Sequence, residues 1–339
     1  MEAPSDMTNA STIRPPATRP MYAFDVAPDG SAAPTPPDAI DLPPPPDVVY
    51  RWIHLDLNDG DVHGWLRRTF DETVADALTP KDTRPRAVRH GRGVLLNMRG
   101  VNTNPDAEPE DMVSIRMWVG ERRIVSVRLR RLAAVVAIRE RMEAGNAPRT
   151  RGWFVLALIE GLLERAEPVI RTMSERVDAL EAAGLKSPKE IRDALAELRN
   201  DAIVYRRFFF PQRDALTALA AIDVAMEPPL FDAEGRNEMT QLIDRQVRMI
   251  EEIDAIRERG LVLNDQLTNE IAERMNRNMM VLSIVAAIFL PLGFLTGLLG
   301  INVAGIPGAN YPYAFAIVVA TTFAIAAALF WWFRSHDWL

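Results

Sequence analysis

From position 278 to 333 the chain runs through 56 residues without an Asp, Glu, Lys, Arg or His. A helix needs about 20 apolar residues to cross a bilayer, so this run has room for two spans and a short turn. We place the spans at 279–299 and 313–333 and the turn at 300–312. The competing reading is a buried hairpin of a soluble protein, but a soluble helix pair of this length would carry charge on some exposed face. Arg274 and Arg277 precede the first span, Arg334 follows the second, and the turn has no basic residue. The positive-inside rule therefore puts both termini in the cytoplasm and the turn outside. Tyr311, Tyr313, Trp331, Trp332 and Trp338 fall where interfacial aromatics belong.

The stretch leading into the first span is a second strong signal. From 235 to 290 there is no proline and one internal glycine, Gly260. Apolar residues recur at Ile243, Val247, Ile250, Ile253, Leu267, Ile271 and Met275, a helical spacing with heptad character. We read 235–278 as a stalk helix that runs on into the span without a break. Such a helix would be on the order of 80 Å or more in length, and it needs neighbours along that length. A parallel bundle about an axis would supply them. Along the span itself, steps of three and four from Asn276 reach Met279, Ser283, Ala286, Leu290, Gly293, Gly297 and Ile301, which are mostly small or polar. Val281, Ile284, Ile288, Leu292, Leu295 and Leu299 make a bulky side that we assign to lipid. The small side should face another helix or a narrow aqueous path. A membrane anchor with a glycine packing seam and a pore ringed by several copies both fit this pattern. Pro291 interrupts the backbone hydrogen bonding and is expected to bend the helix.

The rest of the chain divides by composition. Residues 1–46 hold 12 of the 25 prolines and no apolar run, so we expect a disordered Pro-rich tail and no signal peptide. Residues 47–150 alternate strands (50–57, 94–101, 112–119, 123–129) with a helix at 61–78 and read as an α/β domain. Residues 151–234 are helical. The expected pieces are 151–185, bent at Pro168, then 187–210, stopped by Pro211, and 213–225. Residues 334–339 form a short cytoplasmic tail.

Several chemistries are excluded or weak. There is no cysteine, hence no disulfide or thiolate metal site, and the net charge of -7 argues against nucleic acid as a partner. No phosphate-binding glycine loop, zincin helix or nucleophile elbow is present, so ATP hydrolysis and enzymatic catalysis have no candidate residues. The histidines are His54, His63, His90 and His336. His54 and Asp56 lie two apart on a strand and share a face, which could hold a weak metal site.

After the long helix, and before a second span that ends in Trp338-Leu339, the chain reads Gly300-Ile301-Asn302. This resembles the CorA family of divalent-cation channels, whose signature after the pore helix is Gly-Met-Asn. Isoleucine at the middle position, with Gly305-Ile306-Pro307-Gly308 after it, is similar to the ZntB zinc-transporter branch. Thr83-Arg84-Pro85-Arg86 and the segments at 95–102 and 108–113 also resemble that branch. In all, the resemblance covers roughly residues 46–339.

The resemblance implies an α+β cytoplasmic domain with an αβα sheet and a long stalk helix that continues into a two-helix transmembrane hairpin. It implies a funnel-shaped homopentamer in a bacterial-type inner membrane, taking up Zn2+ with H+ as coupling ion and holding no tightly bound cofactor. Carried over to this sequence, the family's outer mouth falls on Gly300, Ile301 and Asn302. The pore positions below it fall on Gly293, Leu290, Ala286, Leu282, Met279 and Asn276. These nearly match the small-sided face, with Leu282 in place of Ser283. In the metal-sensing branch, stalk acids hold regulatory ions between subunits, and Asp265 falls at one such position. A magnesium or cobalt channel of the wider family, and a membrane-tethered structural coiled coil, stay open as alternatives.

Overall fold

The computed structural model describes residues 20–183, 188–300, 306, 308 and 311–335. The chain separates into two units, Met1–Leu261 and Val262–Leu339.

The first unit is built on a sheet. Among the described residues it has seven strands: β1 (Tyr22–Val26), β2 (Ala32–Pro34), β3 (Tyr50–Asp56), β4 (Arg86–His90), β5 (Gly93–Gly100), β6 (Val113–Val119) and β7 (Arg123–Arg128). Their order is β2-β1-β3-β7-β6-β5-β4. Neighbours run antiparallel except β3 and β7, which are parallel with Arg51 opposite Arg123.

Helices cover both faces, so β3 is buried almost end to end. On one face Ile53 and Leu55 pack with Val125 and Val127 against α1 (Gly60–Thr69) and α2 (Glu72–Leu78), through Trp65, Leu66 and Leu78. On the other face Tyr50 and Trp52 meet Phe154 of α4 (Arg151–Ala183), which follows α3 (Ala133–Glu143). Each large apolar side chain buried this way contributes about 1.5–3 kcal/mol. The expected single helix at 61–78 is split at Phe70 and Asp71. Asp71 leaves helical geometry and its carboxylate accepts the Val74 N–H at 3.0 Å, capping α2.

Two expectations from proline fail, for the same reason. Of the tail assigned to 1–46, residues 1–19 lie outside the described residues, and the remainder contains β1 and β2, which extend the sheet from Tyr22. Tyr22 and Phe24 pack against Trp52, and Val26 is fully buried, so apolar anchoring outweighs the flanking prolines. The turn between these strands uses Gly30 at φ +88°, and Asp29 accepts from the backbone and hydroxyl of Ser31. Likewise α5 (Pro188–Val224) continues through Pro211, where a stop was expected. Its flanks are tied down: Phe209 and Gln212 are buried, and the Gln212 side-chain oxygen accepts the Arg99 N–H at 2.9 Å. These contacts hold the helix across the one hydrogen bond that proline removes.

α6 (Ala233–Leu299) is one helix of 67 residues, roughly 100 Å long, whose first part belongs to the sheet unit and whose remainder begins the second. Pro291 lies inside it. α7 (Ala314–Ser335) follows. Both are long and apolar enough to cross a membrane by length and composition.

Candidate functional site

The six pore positions named from the sequence, Asn276, Met279, Leu282, Ala286, Leu290 and Gly293, are all exposed on α6. Met279, Leu282 and Leu290 leave 55%, 69% and 73% of their surface open, so nothing in the described chain covers them. A side chain built on Gly293 or Gly297 would touch nothing within 4 Å, and this face is therefore free for another helix to approach.

The opposite side corrects an expectation. Of the bulky stripe assigned to lipid, Val281 and Leu299 are exposed, but Ile284 is 4% exposed and Ile288, Leu292 and Leu295 are half-buried. On α7 the residues withdrawn from solvent include Val318, Thr322, Ile325, Leu329 and Phe333, again in steps of three and four along one stripe. Each helix of this unit thus withdraws one continuous, mainly apolar stripe, which is the pattern of a hairpin that closes its own seam by side-chain packing. The surfaces left open are then the small face of α6 and the outer faces of α7.

Polar groups in the spans are returned to their own helices. The Thr296 hydroxyl donates to the Leu292 carbonyl at 2.9 Å, and Thr321 and Thr322 each donate to the carbonyl four residues back at 2.8 Å. The Gly300 N–H donates to Thr296 O at 2.9 Å as α6 ends. A Cβ at Gly300 would come within 3.1 Å of that same carbonyl, so glycine suits the close of the helix. Ile301 and Asn302 lie outside the described residues, as does His336.

The remaining metal candidates from the sequence are Asp265, His54 and Asp56. Asp265 is exposed on α6. The His54 ring is fully buried, stacked 5.6 Å from Tyr22, with Nδ1 2.8 Å from the Ser126 hydroxyl. Burial, and then the charge of Arg128, lower its pKa to about 3, so the ring is neutral. Burial works against ionisation of Asp56, but hydrogen bonds from Asn58 and Arg128 outweigh it and hold the carboxyl below its usual range. Among the described residues no three His, Asp or Glu are grouped to hold a metal ion. Among the described residues, the histidine that meets a carboxylate is His90, whose Nε2 is 2.6 Å from Asp71. No sequence signal marked that pair, because it depends on β4 passing the start of α2.

Comparison with known proteins gives a consistent picture. The family model described as CorA-like Mg2+ transporter protein matches residues 47–335. A protein of Pseudomonas aeruginosa described as divalent cation transporter CmaX is 38% identical over 295 residues, covering 85% of this chain and 87% of its own. The zinc transport protein ZntB of Yersinia enterocolitica is 30% identical over 321 residues, covering 94% and 96%. The solved full-length CmaX structure superposes with a TM-score of 0.78 at 35% identity, over 93% of this chain and 97% of that one.

Proposed function

This chain belongs to the CorA-like Mg2+ transporter protein family, and from that premise we propose that it carries divalent cations, zinc foremost, across a bacterial inner membrane through a homopentameric pore lined by α6. The observation that carries the reading is the uncovered, charge-free face of Met279, Leu282, Ala286, Leu290 and Gly293. A single hairpin cannot enclose an aqueous path, and five copies of this face can. The zinc and divalent-cation descriptions of the ZntB and CmaX relatives support the choice of cargo.

The chemistry follows from what the pathway lacks. Stripping water from a hydrated dication requires many oxygen or nitrogen ligands. One Asn302 per chain offers a ring of amides, which suits contact through the ion's own waters. The levels at Leu290, Leu282 and Met279 act as a hydrophobic constriction that opens by wetting. With both termini in the cytoplasm, an inside-negative potential drives inward movement by about 4.6 kcal/mol per 100 mV for a double charge. Proton stimulation has no carboxylate relay in the spans to use. Neutral, buried His54 is also excluded from that role near neutral pH. Coupling then runs through exposed cytoplasmic groups such as the His90–Asp71 pair, or through metal-bound water.

The test is uptake by proteoliposomes of the purified chain, comparing Zn2+, Mg2+ and Co2+ under imposed pH gradients. Zinc uptake faster with the outside acidic, and reduced by about tenfold in Asn302→Ala without loss of the oligomer, is expected. Preference for Mg2+ or Co2+ would return the chain to the channel reading that the family description favours. No flux above empty liposomes would leave a structural membrane protein.

A further inference from the structure

Two buried amides join β5, α5 and α6. The β4 ladder begins with Arg86 opposite Asn97, so no β4 residue stands beside Arg99, two positions further along β5. Gln212 of α5 takes that place, its side-chain oxygen accepting the Arg99 N–H at 2.9 Å. The other end of the same amide faces α6, with Nε2 3.5 Å from Gln246 Oε1. Gln246 Nε2 in turn donates to the Phe209 carbonyl of α5 at 3.3 Å. Gln212 is 1% exposed and Gln246 not at all.

Gln246 differs in kind from its neighbours. Met239, Leu242, Met249, Ile250, Ile253 and Ile256 are the other side chains that α6 buries here, and all are apolar. An apolar seam can slip by one helical turn, about 5.4 Å, and exchange one such side chain for another at little cost. An amide in the middle of the row prevents this. After a slip of one turn, Leu242 or Ile250 would stand where Gln246 now meets Gln212, and both amides would be buried without these partners. Leaving a buried donor or acceptor unpaired is costly, and a lone polar residue in an apolar seam is the best-attested device for fixing register. The ion pairs nearby are poorer locks. Arg206–Asp254 at 2.7 Å and Arg245–Glu167 at 2.8 Å are partly exposed, and their long arms can follow a shift.

We propose that Gln246 is the positioning residue that fixes the axial register of α6 against α5 and β5, and that this register sets the height of the pore face. α6 is one helix from Ala233 to Leu299, so an axial shift at Gln246 is passed along its backbone to Asn276 and Gly293. Sliding is then closed to the helix, and bending beyond Gln246 is the movement left to it. The register itself does not depend on ion transport; its effect on the pore rests on the function proposed above.

The experiment measures register and transport in the same full-length variants. The chain has no cysteine, so spin labels attach only where cysteines are placed, at Thr217→Cys on α5 and Glu258→Cys on α6. Labelled chain diluted with unlabelled chain is expected to give one narrow distance. Gln246→Met, similar in length and without the amide, is expected to broaden that distance or add a second one shifted by about 5 Å, and to change zinc uptake by about threefold or more. Gln246→Asn, which stays polar but is too short to reach both partners, is expected to do the same more weakly and guards against misfolding of the methionine variant. Met249→Leu, an apolar exchange in the same row, is expected to move neither readout. An unchanged label distance in both Gln246 variants would overturn the pin. A broadened distance with unchanged uptake would overturn its hold on the pore. Absence of zinc uptake by the wild type would count against the pore reading, and the label distances would still decide the pin.

Discussion

Trp52, Trp65 and Phe154 in the sheet unit are at most 2% exposed, whereas Leu282, Leu290, Phe294 and Phe315 in the second unit leave 69% or more of their surface open. Polar groups differ in the same way. In the sheet unit the Arg51 guanidinium reaches across to Asp25 and to the Ala39 and Leu42 carbonyls. In the spans, threonines bond only to their own backbone. The first unit completes its burial within one chain. The second leaves its apolar surface uncovered among the described residues, so on the proposed function a substitution there should register in transport before it registers in folding.

The largest break in that comparison comes from truncating one residue on each side. Trp52→Ala empties a site packed by Tyr22, Phe24, His54 and Phe154 and removes an indole N–H donated to Ser126 at 2.8 Å. It should cost about 3–5 kcal/mol in denaturant unfolding of the sheet unit. Leu290→Ala should change that stability by less than about 0.5 kcal/mol while raising metal leak in liposomes. Equal destabilisation by both would mean that Leu290 is packed within the chain.

A smaller effect sharpens the account of the buried side. His54 has a folded pKa of about 3, below its ordinary value, so the folded state binds fewer protons than the unfolded state between those limits. Stability should therefore fall as pH drops through about 6.5 toward 3, with about 2 kcal/mol lost by pH 5. His54→Phe keeps the stack on Tyr22 and should remove that slope. Wild type and variant losing stability in parallel between pH 7.5 and pH 5 would mean that His54 is charged in the fold.

The smallest effect belongs to the surface that joins helices within the sheet unit. Arg259 on α6 donates to Asp178 and Glu181 of α4 at 2.6 Å each. Arg259→Ala should give a slight loss that fades as salt is added, because these groups are exposed and screened. A loss that persists in high salt would show packing by the arginine stem instead.

The physical cause of what was legible differs between the regions too. Where the pattern is uninterrupted, sequence spacing and structure agree: β3, β5, β6, β7 and the whole of α6 lie within a few residues of expectation. Where proline or charge punctuates, they part. Tyr22–Val26 sits among prolines, and Arg86–His90 carries two arginines because one side of β4 is an edge, so neither looked like a strand. Proline is a local signal, and at Pro211 it lost to the contacts of Phe209 and Gln212. The exposed face of α6 was legible from small residues every three or four positions. Which bulky side shields itself was not, because that choice depends on α7. Arg116 could not be read at all, since its side-chain partner, the Lys81 carbonyl, lies 35 positions away in the sequence.

The parallel pair at the centre of the sheet also sets a schedule. β3 needs β7, which follows it by 72 residues in the register of Arg51 and Arg123. At roughly 5–20 residues per second, a ribosome exposes β3, apolar on both faces, for several seconds before its partner emerges. β1 is already made by then and can pair with one edge of β3. The N-terminal hairpin can thus act as a temporary guard during synthesis, and trimming it should lower the yield of soluble nascent chains more than the stability of finished protein.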